Sequence, residues 1–245
     1  MLCSLSKIFD KIIYKHLYFN IINKLSTNQH GFIAARSTNT NLFNFCNHLY
    51  NSVVNRGQTD TIFFDLQKAF DTVNHDILLL KLQLFGLNEA YLQWFRYYLS
   101  NRSFQVKIDN VKSKEKSISM GVPQGGNLSP LLFNCFINDI TSLCSSVGEC
   151  GGLLFADDLK IFKSINSFHD CLVLQNVINN ISIWCKANHI NINLTKSVFM
   201  QFTRKRNIID YEYNLNNSLL KKETVVKDLG VYFDAKLHFH AHINY

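Results

Sequence analysis

The chain has 245 residues, 47% of them hydrophobic, and a formal net charge of +7. That hydrophobic share excludes global disorder and allows one large core with a subdomain. The positive balance suits a polyanionic partner such as nucleic acid. No apolar run approaches the ~18 residues of a bilayer span, and the N-terminus lacks the charged and apolar regions of a signal peptide. A soluble, intracellular protein with no membrane partner is expected. Seven cysteines are scattered without a C-x-x-C pair, which reads as reduced thiols and no zinc module.

In chain order, "SLSKIFDKIIYKHLYFNIIN" carries Ile8, Ile12, Ile13 and Leu17 at helical spacing. A polar loop, "LSTNQHGFIAARSTNTN", leads to a second helix, "LFNFCNHLYNSVVNRG", closed by Gly57. "TDTIFFDL" is a short run of β-formers and predicts a buried strand ending at Asp65. "NHDILLLKLQLFG" predicts a helix capped by Asn74 and ended by Gly86, and "NEAYLQWFRYYLSN" another. "SFQVKI" and "SKEKSISM" predict a hairpin, and "SPLLFNCFINDITSLC" one helix with Ser129 at its N-cap and Pro130 in its first turn. A second hairpin around "LLFADDLKIF", a long helix in "FHDCLVLQNVINNISIWCKANHI", a strand in "SVFMQF" and a late hairpin in "TVVKDLGVYFDA" complete the order. Strands and helices mix without regular alternation. This predicts an α+β fold with helices packed on one face of an antiparallel sheet.

The chemistry concentrates in carboxylates. Asp157 and Asp158 stand between apolar strands, where they are expected to occupy the hairpin turn. Two-residue turns favour Gly, so a like-charged Asp-Asp pair points to a site more than to stability. Asp65 ends its own strand, and Asp71 lies six residues on. If the strand of Asp65 neighbours the hairpin, three carboxylates meet at one sheet end. Such hard oxygen ligands suit Mg²⁺, and two ions ~4 Å apart serve in-line displacement at phosphorus. "GVPQGGNLSP" holds both prolines of the chain and three of its ten glycines, so its backbone is closely specified. "HFHAHI" would align His238, His240 and His242 if extended, but it lacks an acidic or thiol partner nearby.

Together these stretches resemble the reverse transcriptase domain of non-LTR (LINE-type) retrotransposons, in family order over nearly the whole chain. "SLSKIFDKIIYKHL" and "LSTNQHGFIAARSTNTNL" look like fingers motifs, "FFDLQKAFDTVNHDILLLKL" like motif A and "GVPQGGNLSPLLFNCFINDI" like motif B. "FADD" looks like motif C, "NINLTKSVFMQF" like motif D and "KDLGVYFDAKL" like motif E. The resemblance implies a right-hand polymerase palm with partial fingers and almost no thumb. Its parts would be partial fingers at 1–58 and a palm at 59–245, with a fingers insertion near 86–118 and a thumb start near 235.

The implied activity is RNA-directed DNA polymerisation. A primer 3′-OH would attack a dNTP on an RNA template with a DNA primer, helped by two Mg²⁺ ions or by Mn²⁺ as a substitute. The resemblance makes Asp65, Asp157 and Asp158 the metal ligands and Lys196 a candidate general acid. It makes Arg36, Phe70, Gln124 and Gly125 the nucleotide contacts, with Phe70 as the gate against a ribose 2′-OH. Asp71 would orient backbone. Arg102, Lys107, Lys112 and "TRKR" at 203–206 are candidate template contacts. Element type alone implies a nuclear location.

Some positions depart from the pattern. The usual basic residue after "GF" is Ile33, the usual glycine before "RS" is Ala35, and Gly126 replaces a serine after "PQG". The expectation is of a domain truncated at both ends. Its alternative is an inactive remnant that at most binds nucleic acid.

Overall fold

The computed structural model describes residues 4–146 and 149–244. Helix α1 is Ser4–Ile21, followed by a 3₁₀ turn at Ile22–Lys24. Helix α2 is Thr38–Val54. It starts before the apolar run because Ser37 and Thr40 form a capping box, each side chain accepting from the other's backbone N–H. It ends before Gly57: Arg56 takes the left-handed turn, at φ 50°, instead. Strand β1 is Gln58–Phe64. Helices α3, His75–Leu84, and α4, Glu89–Leu99, start at the side-chain caps of Asn74 and Asn88.

Strands β2 (Arg102–Phe104) and β5 (Lys116–Ile118) pair, and between them lie β3 (Lys107–Ile108) and β4 (Val111–Lys112). Helix α5, Ser129–Ile137, is shorter than expected. A 3₁₀ segment at Asn138–Thr141 and a short α6 at Ser142–Ser146 replace its second half. Ser129 is already helical, and its hydroxyl donates to the Pro123 carbonyl rather than capping. Then come β6 (Gly151–Phe155), β7 (Asp158–Ser164), α7 (Phe168–Ala187) and β8 (Val198–Thr203). Three short polar strands unforeseen in the sequence follow: β9 (Asn214–Leu215), β10 (Ser218–Leu219) and β11 (Lys221–Glu223). The late hairpin is β12 (Val225–Asp228) and β13 (Val231–Asp234), and α8 is His240–Ile243. His240 and His242 are therefore helical, not extended. No described helix is long and apolar enough to cross a membrane.

The chain divides into two compact units, which join residues on both sides of position 58. One comprises the chain up to Leu25, Lys68–Ile137 and Asn188–Ile190. In it α5 is apolar nearly all round, and Leu131, Leu132, Phe133, Phe136 and Ile137 are all buried. Such a helix belongs inside a core. Lys81 of α3 donates to the Phe136 carbonyl at 2.6 Å.

The other unit comprises Ser26–Gln67, Asn138–Ala187 and the chain from Asn191. Its centre is a five-stranded sheet in the order β11-β8-β1-β7-β6. All its pairs are antiparallel except β11 with β8. Alternation along the strands sorts the two faces. Phe63, Phe162, Met200 and Phe202 meet Phe45 and Leu49 of α2 and Phe233 of β13. On the opposite face Asp60 and Phe199 meet Tyr213, and Cys171 of α7 lies beside that tyrosine. The expected helical layer is thus accompanied by a second on the other face. Six cysteines are free thiols, and Cys3 lies outside the described residues.

Asp60 is fully buried. It accepts from Gln58 Nε2 at 3.0 Å, Tyr213 Oη at 2.9 Å and Gln201 Nε2 at 3.4 Å. Burial outweighs these donors and pushes its carboxyl up to about 6. A raised carboxyl favours the fold most below its unfolded value, and that contribution is lost as pH climbs through about 6. Urea unfolding of wild type should therefore lose roughly 3 kcal/mol more between pH 4 and 7 than Asp60→Asn does. Parallel pH profiles for the two proteins would refute the buried carboxylate.

Candidate active site

The carboxylates meet because of strand register. β1 and β7 pair Phe64 with Leu159, so the next step sets Asp65 opposite Asp158. Asp65 is held from behind by the segment that precedes β8. Its N–H donates to Ser197 Oγ at 3.1 Å, and its carbonyl accepts from Asn193 N–H at 2.8 Å. Ser197 is fully buried.

The β6–β7 turn differs from expectation. Phe155 pairs with Asp158, so the two-residue loop is Ala156 and Asp157, and Asp158 opens β7. The left-handed residue is Ala156, at φ 55°. The strain thus falls on an alanine, not on an aspartate, and a buried amide offsets it. Gln29, 1% exposed, accepts from Ala156 N–H at 2.9 Å and donates to the Ala156 carbonyl at 3.1 Å. The same Oε1 accepts from Gly31 N–H at 2.7 Å. Gly31 must lack a side chain, since a Cβ there would stand 2.3 Å from Ala156 N. The Leu154 carbonyl, just before the turn, accepts from His30 N–H at 2.8 Å and from Asn41 Nδ2 at 2.9 Å.

The electrostatics are those of crowded carboxylates. Asp157 is raised first by desolvation and then by Asp65. Asp158 is exposed, yet it is pushed up to about 6. Desolvation by the packed strand ends comes first, followed by Asp157, Asp228 and Asp65. A cation would relieve this mutual repulsion. Asp65 and Asp158 line one cavity of about 190 Å³ with Asn41, Lys160, Lys196 and Asp228. Among the described residues, no three His, Cys, Asp or Glu side chains form a ready-made metal cage. Hard oxygens on one or two carboxylates fit an ion that keeps waters and takes further oxygens from a phosphate substrate.

The other expected residues fall as follows. Lys196 is exposed on the rim of that cavity. Arg36, in the same unit, donates through Nη1 to the carbonyls of Ser26 at 2.8 Å and Gln29 at 2.6 Å. It therefore braces the loop that holds the turn. Phe70, Gln124 and Gly125 belong to the first unit. Phe70 stacks on Phe133 at 4.1 Å, and Gln124 Nε2 donates to Asp71 Oδ1 at 2.8 Å. Gly121 N–H donates to the Val73 carbonyl at 2.8 Å and Val122 N–H to that of Phe70 at 2.9 Å, tying the glycine-rich loop to the segment after Lys68. Two arginines expected on a template are engaged with backbone. Arg102 donates to the carbonyls of Leu99 and Gly121, and Arg204 to that of Lys236. Lys107 and Lys112 are exposed and face each other across their ribbon.

Gln29, Asn41 and Ser197 went unnoticed in the sequence, although all lie within the motif stretches. The signal available was a polar residue inside a motif stretch. Asn41 is 1% exposed, and its Oδ1 has no partner among the described residues.

The reverse transcriptase (RNA-dependent DNA polymerase) family matches residues 1–233. The chain belongs to that family. It is 29% identical to the RNA-directed DNA polymerase from mobile element jockey of Drosophila melanogaster, over 99% of this chain and 27% of that protein. It is 24% identical to the Pol polyprotein from type-1 retrotransposable element R2 of Popillia japonica, over 80% of this chain and 28% of that protein. The chain is thus a reverse transcriptase domain of the non-LTR retrotransposon type, spanning under a third of these curated relatives. Apo telomerase from Candida tropicalis shares the fold, with a TM-score of 0.63 at 9% identity over 94% of this chain and 40% of that one. The central sheet with its helices is accordingly a reverse transcriptase palm. Reverse transcriptases generally use divalent metal ions.

The clamp around Ala156 carries a test. Gln29→Leu removes partners from two N–H groups and one carbonyl, each an unsatisfied group of ~1–3 kcal/mol. Urea denaturation should show a loss of roughly 3 kcal/mol or more. A loss under about 1 kcal/mol would mean that the amide does not hold the turn.

Proposed function

We propose that the domain is an RNA-directed DNA polymerase that joins dNTPs to a DNA primer 3′-OH on an RNA template. The observation that carries this reading is the pairing that sets Asp65 opposite Asp158, next to Asp157 on a clamped turn. Asp65 and Asp157 would hold two Mg²⁺ ions in this reading, with Asp158 as the third carboxylate and Mn²⁺ as a substitute. Bound ions would sharpen the attacking hydroxyl and neutralise the leaving pyrophosphate.

The chain's own residues supply position and charge. Arg36 offers the rest of its guanidinium to triphosphate oxygens, a match in shape as well as charge. Gln124 and Gly125 line the incoming nucleotide, and Phe70 excludes a ribose 2′-OH by its bulk. Lys196, exposed on the cavity rim, donates a proton to the departing pyrophosphate. The net charge of +7 supports a grip on template and primer that weakens with salt. An intracellular, nuclear place of work goes with the element type.

Primer extension on an RNA template with dNTPs and Mg²⁺ or Mn²⁺ tests the reading. Wild type should extend, and Asp157→Asn should lose more than about 100-fold, beyond the range for residues that only support a ligand. Equal extension by both would remove Asp157 from the chemistry. No extension by either, with template bound, would favour a domain that binds nucleic acid without polymerising.

A further inference from the structure

Beneath the aspartates lies a charged pair for which the proposed chemistry has no role. Lys160 stands two residues along β7 from Asp158, so both side chains project from the same face. Lys160 is 3% exposed. Its ammonium pairs with Asp228 Oδ2 and sits 4.8 Å from the centroid of the Phe45 ring. Asp228 ends β12, just before the turn at Leu229 and Gly230, whose φ values are 45° and 90°. The cavity lined by Asp65, Asp158 and Lys196 is lined by Lys160 and Asp228 as well.

A buried ion pair is a poor device for stability, because desolvation offsets most of its attraction. An apolar pair of similar volume would serve the core here as well or better, with Phe45, Phe63 and Phe162 around it. Geometry suggests another use. The Lys160 ammonium feels two carboxylates, Asp228 and Asp158. Only Asp228 bonds it. Without Asp228, Asp158 is the carboxylate that the buried ammonium still feels.

We propose that Lys160 and Asp228 are a positioning pair, in which Asp228 keeps the ammonium away from Asp158 and the pair fastens the β12–β13 hairpin to the metal-binding strand. This rests on the reading of Asp65, Asp157 and Asp158 as metal ligands. The pair acts through Asp158 and touches neither nucleotide nor ion.

Mn²⁺ binding followed by electron paramagnetic resonance, without nucleic acid, separates this role from a merely structural one. Asp228→Asn frees the ammonium and should weaken Mn²⁺ binding about tenfold, the usual scale for losing a partner of a ligand. In primer extension its kcat should fall while the KM for dNTP changes less than about twofold. Lys160→Met/Asp228→Leu removes the competing ammonium altogether. It should bind Mn²⁺ within about threefold of wild type, so that the double variant outperforms the single. A folded Asp228→Asn with wild-type Mn²⁺ affinity would overturn the proposal, as would a double variant as weak as the single. If Asp228→Asn does not fold, the double variant decides alone: affinity near wild type supports the pair's role and a tenfold loss overturns it. If wild type itself binds no Mn²⁺, the metal-ligand reading fails and the pair's role falls with it. Weakened binding in Asp157→Asn shows instead that the ligand reading stands while the pair is judged separately.

Discussion

The antiparallel register of β1 on β7 is the constraint on which the site depends. A side chain changes face with every residue, so a slip of one would send Asp65 away from Asp158. Ile62, fully buried, faces Ile161 on β7 and Phe199 on β8, and packing of these apolar partners defines the register. The aspartates are set by hydrophobic pairing several residues away. Their own interactions are repulsive, and nothing in them would hold such a cluster without that sheet.

Around this register runs a shell of buried polar groups. Gln29 clamps the turn, Ser197 and Asn193 hold the backbone of Asp65, and Asn41 fixes the carbonyl before the turn. Each satisfies main-chain groups that strand pairing leaves open at a sheet end. That is the requirement for backbone buried away from water. Lys160 and Asp228 extend the shell one layer deeper. The result is a buried polar support beneath the three aspartates.

Much of this was legible in the sequence. The cap at Asn74, strand β1, the long α7 and the three hairpins follow from local chemistry, and the structure has them all. Asp65, Asp157 and Asp158 stood out because charges are rare beside such apolar runs. What escaped was non-local. Gln29 bonds a residue 127 positions away and Ser197 one 132 positions away, and no periodicity marks such partners. The exact turn residues escaped for a related reason. Asp-Asp looks like a turn by composition, but the register of β6 with β7 centres the loop on Ala156 and Asp157. The polar strands β9 to β11 lack an apolar alternation to announce them, and β11 is a strand only because β8 lends it a partner.

The central claim is that this sheet end gathers metal ions between Asp65 and the β6–β7 turn. A crystal grown with Mn²⁺ and measured at the manganese absorption edge tests it most directly. Anomalous peaks at the carboxylates of Asp65 and Asp157 are the predicted result. Well-ordered aspartates with no manganese between them, at Mn²⁺ concentrations that support or saturate binding elsewhere, would contradict it.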